Sequence, residues 1–172
     1  GNLRVTSIKW RARQGSAAIC LRETTNHALI LAFGGREGPA KPLNDLSVFV
    51  YKGGRGQFFQ PLAVRGETPS PRWGHSLVRL SGTNHLAVLV GGRSADYVCS
   101  DSLYVLSAVE DDNVHFLWEP VLDNGICRRF HHSAVASDDS RVFVFGGLDQ
   151  IDSINGETCK AALVETNATE GQ

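Results

Sequence analysis

The chain has 172 residues, of which 42% are hydrophobic and 20% charged, and a formal net charge of -1. This composition is typical of a globular domain with its own core, and the near-neutral charge argues against a dedicated nucleic-acid or membrane-surface protein. No apolar run approaches the roughly 20 residues that cross a bilayer, and no secretion signal is present. We therefore expect a cytoplasmic protein, with the nucleus as the alternative, and no membrane partner.

The four cysteines are isolated from one another along the chain. Zinc sites and thioredoxin-like redox sites need closely spaced cysteine pairs, and the sequence has none. We therefore expect reduced, half-buried thiols and no metal site. The cysteines are Cys20, Cys99, Cys127 and Cys159.

The chain opens with one strand-like run, "LRVTSIKW" from Leu3, and then repeats a pattern of short apolar runs. The first unit, residues 13–65, contains "RQGSAAICL", "ALILAFGG", "DLSVFVY" and "QFFQPLAV". The second unit, residues 72–122, contains "RWGHSLVRL", "LAVLVGG", "DSLYVLS" and "HFLWEPVL". The third unit, residues 129–165, contains "RFHHSAVAS", "RVFVFGG" and "CKAALVE", and a polar tail follows at residues 166–172.

A double glycine ends the second run of every unit, and the three pairs recur at a spacing of about 56 residues. Four turn-separated runs predict a four-stranded antiparallel sheet. A period of this size predicts an array or a propeller, because one such sheet cannot bury both of its faces alone. Glycine at the end of a strand indicates a sharp turn with positive φ. The pairs are Gly34-Gly35, Gly91-Gly92 and Gly146-Gly147.

The combination of Arg-x-x-His, a double glycine and later aromatic residues resembles the kelch repeat over nearly the whole chain, about residues 10–164. The resemblance implies an all-β fold, an incomplete kelch-type β-propeller with about three four-stranded blades of a larger ring. It also implies structural roles for the glycine pairs, for His75 and His132, and for the aromatic Trp118.

The three repeats depart from this pattern at two positions. The first repeat has Ser16 where the later repeats have histidine. The third repeat has Leu148 after its glycine pair, where the others have Arg36 and Arg93, and it lacks a clear aromatic fourth strand.

Three segments carry a narrower resemblance: "FGGREGPAKPLNDL", "PSPRWGHS" and "FLWEPVLDNGICRRFHHSAV". They resemble the C-terminal kelch propeller of tRNA wybutosine-synthesising methyltransferases, which are similar to leucine carboxyl methyltransferases and act on a hypermodified guanosine in phenylalanine tRNA. The resemblance implies a parent enzyme that uses S-adenosylmethionine. The chain itself has no Rossmann-like alternation of strands and helices, so we expect no catalytic residue and no cofactor in it.

Several motifs that suggest chemistry have simpler interpretations. His131 and His132 are neighbours on a predicted strand, so they point to opposite faces and do not chelate one ion; His132 is more typical of a core histidine bonded to backbone. "YKGGRGQ" lies between strands rather than before a helix, so it does not predict a phosphate site. The acidic run at 110–112 predicts a solvated loop, and no Ser/His/Asp set has a nucleophile-elbow context.

In a propeller, the loops after the second and fourth strands emerge on one face, and here these loops are rich in arginine. Guanidinium groups bind carboxylates and phosphates bidentately, so this face is a candidate site for an acidic peptide, phosphate or RNA backbone. The resemblance to kelch proteins that bind acidic peptides implies that the arginine at the start of each unit contacts the ligand. The alternative is that the arginines pair with acidic residues of the same loops. The candidate residues are Arg13, Arg36, Arg72, Arg93, Arg128 and Arg129.

Two functions of different class follow from these observations. The first is a non-catalytic binding or scaffold module of a tRNA-modifying methyltransferase, which helps to place tRNA or to organise the enzyme. The second is the protein-recognition propeller of an adaptor that presents substrates for ubiquitination or scaffolds signalling. The expected ligand is a protein or acidic peptide, with tRNA as the alternative, and a methyltransferase or a dimerising domain before residue 1 would discriminate the two.

The number of predicted strands does not complete a ring. The run from Leu3 resembles the fourth strand of a preceding unit, and the third unit stops after its third strand. Propellers close with typically 4–8 blades, so the remaining blades must come from another segment of the parent chain or from a second copy. The sequence contains no methionine and begins at Gly1, which also leads us to expect a segment of a longer protein.

Overall fold

The computed structural model describes residues 2–81, 83–100, 102–122, 128–138 and 141–149, together with the backbone of 160–163. This part of the chain is all-β, as the apolar runs predict, and contains no helix. The strands are β1 (Val5–Ile8), β2 (Ala17–Thr24), β3 (His27–Arg36), β4 (Pro42–Lys52), β5 (Arg55–Pro61), β6 (Val64–Gly66), β7 (Ser76–Arg79), β8 (His85–Val90), β9 (Leu103–Glu110), β10 (Val114–Val121), β11 (Ser133–Ala136), β12 (Arg141–Phe145) and β13 (Lys160–Leu163).

The strands form three consecutive sheets that do not close into a barrel. The first sheet has the order β1-β5-β4-β3-β2, the second β6-β10-β9-β8-β7 and the third β11-β12-β13. Neighbouring strands are antiparallel except β6 and β10, which are parallel. The first strands of the three units, β2, β7 and β11, contact one another in succession, so each sheet follows the previous one along this row. The predicted polar tail at 166–172 lies outside the described residues.

We expected from the sequence that the strand from Leu3 would belong to a preceding unit, but this strand does not. It is the fifth, outer strand of the first sheet, antiparallel to β5, with Ile8 opposite Phe58. The Trp10 ring stacks on the Phe58 ring, with centroids 4.3 Å apart, and this contact holds the segment on the outer edge. The short strand β6 occupies the same outer place in the second sheet. In both cases the segment that precedes a unit's first strand covers the sheet edge that would otherwise be open.

The glycine pairs turn the chain where two sheets meet. Gly91 and Gly92 have φ of 62° and 102°, values that other residues rarely adopt. A Cβ on Gly91 would lie 2.6 Å from the carbonyl oxygen of Arg129, in the third sheet's first segment. The predicted positive φ is therefore confirmed, and the close approach of the neighbouring sheet gives a second reason for glycine.

Two apolar layers separate the three sheets. Leu89 of the second sheet packs with Phe33 of the first sheet and with Trp118. Its neighbour Val88 points the other way and packs with Val142 of the third sheet. Because consecutive strand residues face opposite sides, the second sheet is buried on both faces, in line with its nearly continuous apolar strands.

Candidate functional site

The side chain of the arginine that begins each unit is buried and binds the glycine pair of its own unit. The Nη1 of Arg72 donates to the carbonyl oxygen of Gly91 at 2.9 Å. Arg13 donates in the same way to Gly34 at 3.1 Å, and Arg129 to Gly146 at 2.8 Å. Arg72 is 3% exposed and Arg129 is fully buried. The sequence placed these three arginines on an exposed ligand-binding face, whereas their side chains are buried and mainly satisfy the carbonyl at the sharp turn. Their part in ligand binding stays a prediction.

The buried guanidinium groups of Arg13 and Arg72 have different hydrogen-bond partners. Arg13 forms an ion pair of 2.7 Å with Asp45, which is the alternative that the sequence left open. Arg72 instead donates to neutral oxygens: the Ser70 carbonyl and hydroxyl at 3.0 Å each, and the Ser102 hydroxyl at 3.0 Å. Among the described residues no carboxylate lies within ion-pair distance of Arg72. Burial lowers the pKa of its guanidinium below the ordinary value, although an arginine stays charged.

A cavity of about 230 Å³ opens beside the Arg72 guanidinium. Three segments build it: the chain before β7, the loop between β8 and β9, and Arg128, which directly precedes the third unit. The described residues that line this cavity include two arginines and several serines and no acidic residue. The lining residues are Ser70, Arg72, Gly92, Ser94, Val98, Cys99, Ser100 and Arg128. We call this the arginine–serine pocket.

The turn from Ser94 to Val98 has an unusual backbone; its two ends line the arginine–serine pocket, and it contains the exposed Asp96. Tyr97 has a φ of 59°, a value that is uncommon for any residue other than glycine, and its side chain is 49% exposed. The Ser94 and Val98 backbones close the turn at 3.0 Å. Arg93 supports it from below, because its Nε donates to the Tyr97 carbonyl at 3.2 Å. The strained turn places the exposed Val98 at the pocket, whereas the Tyr97 ring lies 4.8 Å from the Arg93 guanidinium.

The arginines that follow the glycine pairs stack on the next unit. The Arg36 guanidinium lies 3.6 Å from the centre of the Trp73 ring, and that of Arg93 lies 4.6 Å from the Phe130 ring. Trp73 and Phe130 occupy the same position after the unit's first arginine, so one cation–π contact is repeated between successive sheets. Arg93 is buried, and Arg36 half-buried. These two predicted ligand residues therefore hold sheets together, whereas Arg128 remains exposed as predicted.

The two repeat histidines lie between sheets and are neutral. His75 donates from Nε2 to the Phe33 carbonyl at 3.1 Å. Burial lowers the pKa of His75 to about 3 and that of His132 to about 4. Their neighbour His131 is exposed, with a φ of 55°. In the described residues no three histidine, cysteine, aspartate or glutamate side chains come together in a way that could hold a metal ion.

The sequence did not indicate the hydroxyl groups or the exposed Val98 of the arginine–serine pocket. The serines and Val98 come from two separate loops, and only the folded chain brings them to one pocket. The one local signal was the density of serine in "PSPR" and "SADYVCSDS".

No protein-family model matches the chain. A curated relative, the dynein alpha chain of the flagellar outer arm of Chlamydomonas reinhardtii, is 34% identical over 94 residues, which is 54% of this chain and 2% of the dynein chain. A solved chain, from the cryo-EM structure of RAG in complex with one melted RSS and one unmelted RSS, matches 90% of this chain with a TM-score of 0.51 and 18% identity. This chain spans 52% of that one. Because the sequence identity is low, the similarity concerns the fold alone. None of the described residues forms a helix long and apolar enough to cross a membrane.

Proposed function

We propose that the chain is a non-catalytic binding module, three blades of a kelch-type β-propeller, which binds an anionic segment of a partner protein in the arginine–serine pocket. The observation that carries the proposal is the composition of the pocket among the described residues: Arg72 and Arg128 with several hydroxyls, and no acidic side chain. No cofactor enters this proposal.

Repeated contacts between successive sheets support the propeller part of the proposal. The Gly35 N–H donates to the Arg72 carbonyl at 2.9 Å, and the Gly92 N–H donates to the Arg129 carbonyl at 2.9 Å. The same bond at each step is what a repeated rotation from one sheet to the next would produce, and such a rotation generates the radial arrangement of a propeller.

The outer face of the third sheet supports the presence of further blades. Val135 and Phe145 are 52% and 45% exposed. They correspond in register to Val78 and Val90 of the second sheet, which the third sheet covers, because each pair has the same spacing from the unit's arginine or glycine pair. We propose that another sheet of this type, from the parent chain or from a second copy, covers this face.

The geometry of the arginine–serine pocket favours a particular ligand. Its volume accommodates one carboxylate or phosphoryl group rather than a long polyanion, and the exposed Val98 offers apolar contact in its wall. We therefore propose an acidic or phosphorylated residue next to an apolar residue in an extended peptide. The similarity to a dynein alpha chain supports a module that takes part in a protein assembly. The protein-recognition propeller of an adaptor is a module of this kind.

A tRNA ligand is the second candidate, and one observation favours it. The exposed Tyr97 belongs to the turn whose ends, Ser94 and Val98, line the pocket that contains Arg128, and we propose that a base stacks on Tyr97 while its phosphate binds Arg128. This candidate agrees with the resemblance to tRNA wybutosine-synthesising methyltransferases.

Fluorescence anisotropy with three labelled probes tests the proposal: an Asp-Leu-containing peptide, the same peptide with phosphoserine for aspartate, and total tRNA. We expect one peptide to bind and Arg128→Ala to weaken its binding at least tenfold. Arg55→Ala, an exposed arginine on the distant β4–β5 turn, is the matched control and should bind as the parent does. Equal loss in both variants would indicate nonspecific charge attraction, and binding of tRNA alone would favour the second candidate.

A further inference from the structure

A second cavity, of about 630 Å³, lies between the first and second sheets at the strand ends opposite the glycine pairs. It is bounded by the ends of β2 and β7, the starts of β3, β8 and β10, and Leu3 of the N-terminal segment. Its lining residues are Leu3, Leu21, Arg22, Leu29, Arg79, Leu80, Ser81, Thr83, His85, Leu86, Ala108, Val114 and Phe116. We call this the intersheet cleft.

The walls of the intersheet cleft are mainly apolar. Leu21 and Leu29 of the first sheet and Leu86 of the second are only partly buried against the core that joins the two sheets. Phe116, which is 4% exposed, closes the inner end. A concave site of this volume, with apolar walls and a few polar groups, has the character of small-molecule sites in proteins. The apolar area left between the sheets is therefore available to an aliphatic ligand.

The charged side chains that line the intersheet cleft are both positive. Arg22 and Arg79 line it and are exposed. The Nη1 of Arg79 donates to the Cys20 carbonyl at 3.1 Å, which orients this guanidinium. No acidic residue is among the lining residues, and in the described part of the chain no carboxylate forms an ion pair with either arginine. The complementary group of a ligand is thus an anion at the mouth.

A neutral polar pair lies in the second-sheet wall of the cleft. His85 Nδ1 and Ser107 Oγ are 2.7 Å apart and form a hydrogen bond with each other, so neither group requires a hydrogen-bond partner from a ligand. Arg22 and Arg79 are therefore the lining residues that call for a charged group on the ligand.

We infer that the intersheet cleft binds an aliphatic carboxylate, with the hydrocarbon chain against the leucines and the carboxylate at Arg22 and Arg79. The inference does not depend on the proposed function, because the arginine–serine pocket lies at the other end of the sheets. Neither cavity shares a lining residue with the other.

The test uses the full 172-residue chain and 11-(dansylamino)undecanoic acid, whose fluorescence rises in an apolar site, with dodecanoate and dodecanol as competitors. We expect dodecanoate to displace the probe at a concentration at least tenfold lower than dodecanol does. The double variant R22Q/R79Q should abolish this difference. Ala108→Trp, at an exposed lining position of a strand, should fill the cleft and abolish probe binding.

Arg128→Ala and Arg55→Ala are the controls, and both should bind the probe as the parent does. The inference is overturned if dodecanol competes as well as dodecanoate in the parent, or if Ala108→Trp binds the probe unchanged while its thermal unfolding matches the parent. It is also overturned if probe binding disappears as the chain concentration rises, because a second copy would then occupy the cleft.

Discussion

The backbone N–H of Gly92 donates a hydrogen bond to the carbonyl oxygen of Arg129 at 2.9 Å, which joins the second sheet to the third. The side chain of Arg129 in turn donates to the Gly146 carbonyl within its own unit. Arg72 makes the same two connections, to Gly35 and to Gly91. Each arginine therefore connects the glycine pairs of two successive units, one through its backbone and the other through its side chain.

This relationship predicts that Arg72→Ala destabilises the fold. The substitution leaves the Gly91 carbonyl and the nearby Ser102 hydroxyl without their buried charged donor, which costs about 2–4 kcal/mol in the free energy of unfolding. Urea unfolding measures the difference. Arg128→Ala, at an exposed position, is the control and should change the value by less than about 0.5 kcal/mol. Equal stability of the two variants would contradict the role assigned to Arg72.

Gly91→Ala and Gly146→Ala separate backbone conformation from steric contact. Both glycines have nearly the same φ, 62° and 64°, so each substitution costs about 1–2 kcal/mol of left-handed strain. A Cβ on Gly91 would also lie 2.6 Å from the Arg129 carbonyl, whereas a Cβ on Gly146 would meet no atom of the described residues within 4 Å. We expect Gly91→Ala to be the more destabilising by at least about 2 kcal/mol in chemical denaturation. A similar loss at both sites would mean that only φ matters.

His131 occupies a backbone position that is glycine in the other two units. Its φ of 55° matches 69° at Gly15 and 66° at Gly74. His131→Gly and His131→Ala both remove the ring that contacts Trp73, but only glycine relieves the left-handed strain. We expect the glycine variant to be more stable than the alanine variant by about 1 kcal/mol, measured by thermal unfolding. The opposite order would show that this backbone is not strained.

Stability should fall on acidification because two buried histidines have lowered pKa values. Folded His75 has a pKa of about 3, mainly from burial, and folded His132 about 4, against 6.5 for the unfolded chain. Between these values the unfolded state binds more protons, so the stability is fully present above pH 6.5 and decreases below it. The slope is about 1.4 kcal/mol per pH unit for each histidine.

His75→Gln should reduce that slope, and urea unfolding from pH 7 to pH 4.5 measures it. His27→Gln is the control, since His27 is exposed. If both variants keep the parent slope, the acid sensitivity comes from other groups.

The exposed face of the third sheet predicts self-association of the isolated chain. Phe145→Asp should abolish this association without changing the free energy of unfolding, because Phe145 is 45% exposed. Sedimentation velocity over a range of concentrations measures it. A chain that is monomeric at every concentration would contradict covering by a second copy.

The sequence by itself determined the strands, the turns between them and the positive φ of the glycine pairs. These features depend on local periodicity and on the conformational range of glycine, both of which are present in any short window of residues. The buried position of His75 also agrees with its predicted structural role, since its Nε2 donates to the Phe33 carbonyl.

Only the tertiary structure decided what the arginines do and where the outer strands pair. Arg72 and Arg129 occur in polar, loop-like sequence, yet the loops that fold over them come from 19 and 17 residues further along the chain, and burial depends on those distant segments. The strand from Leu3 has the same alternating pattern wherever it pairs, and its place beside β5 depends on a partner some fifty residues away. Local pattern specifies which residues form a strand, whereas burial and pairing are properties of segments brought together by the whole fold.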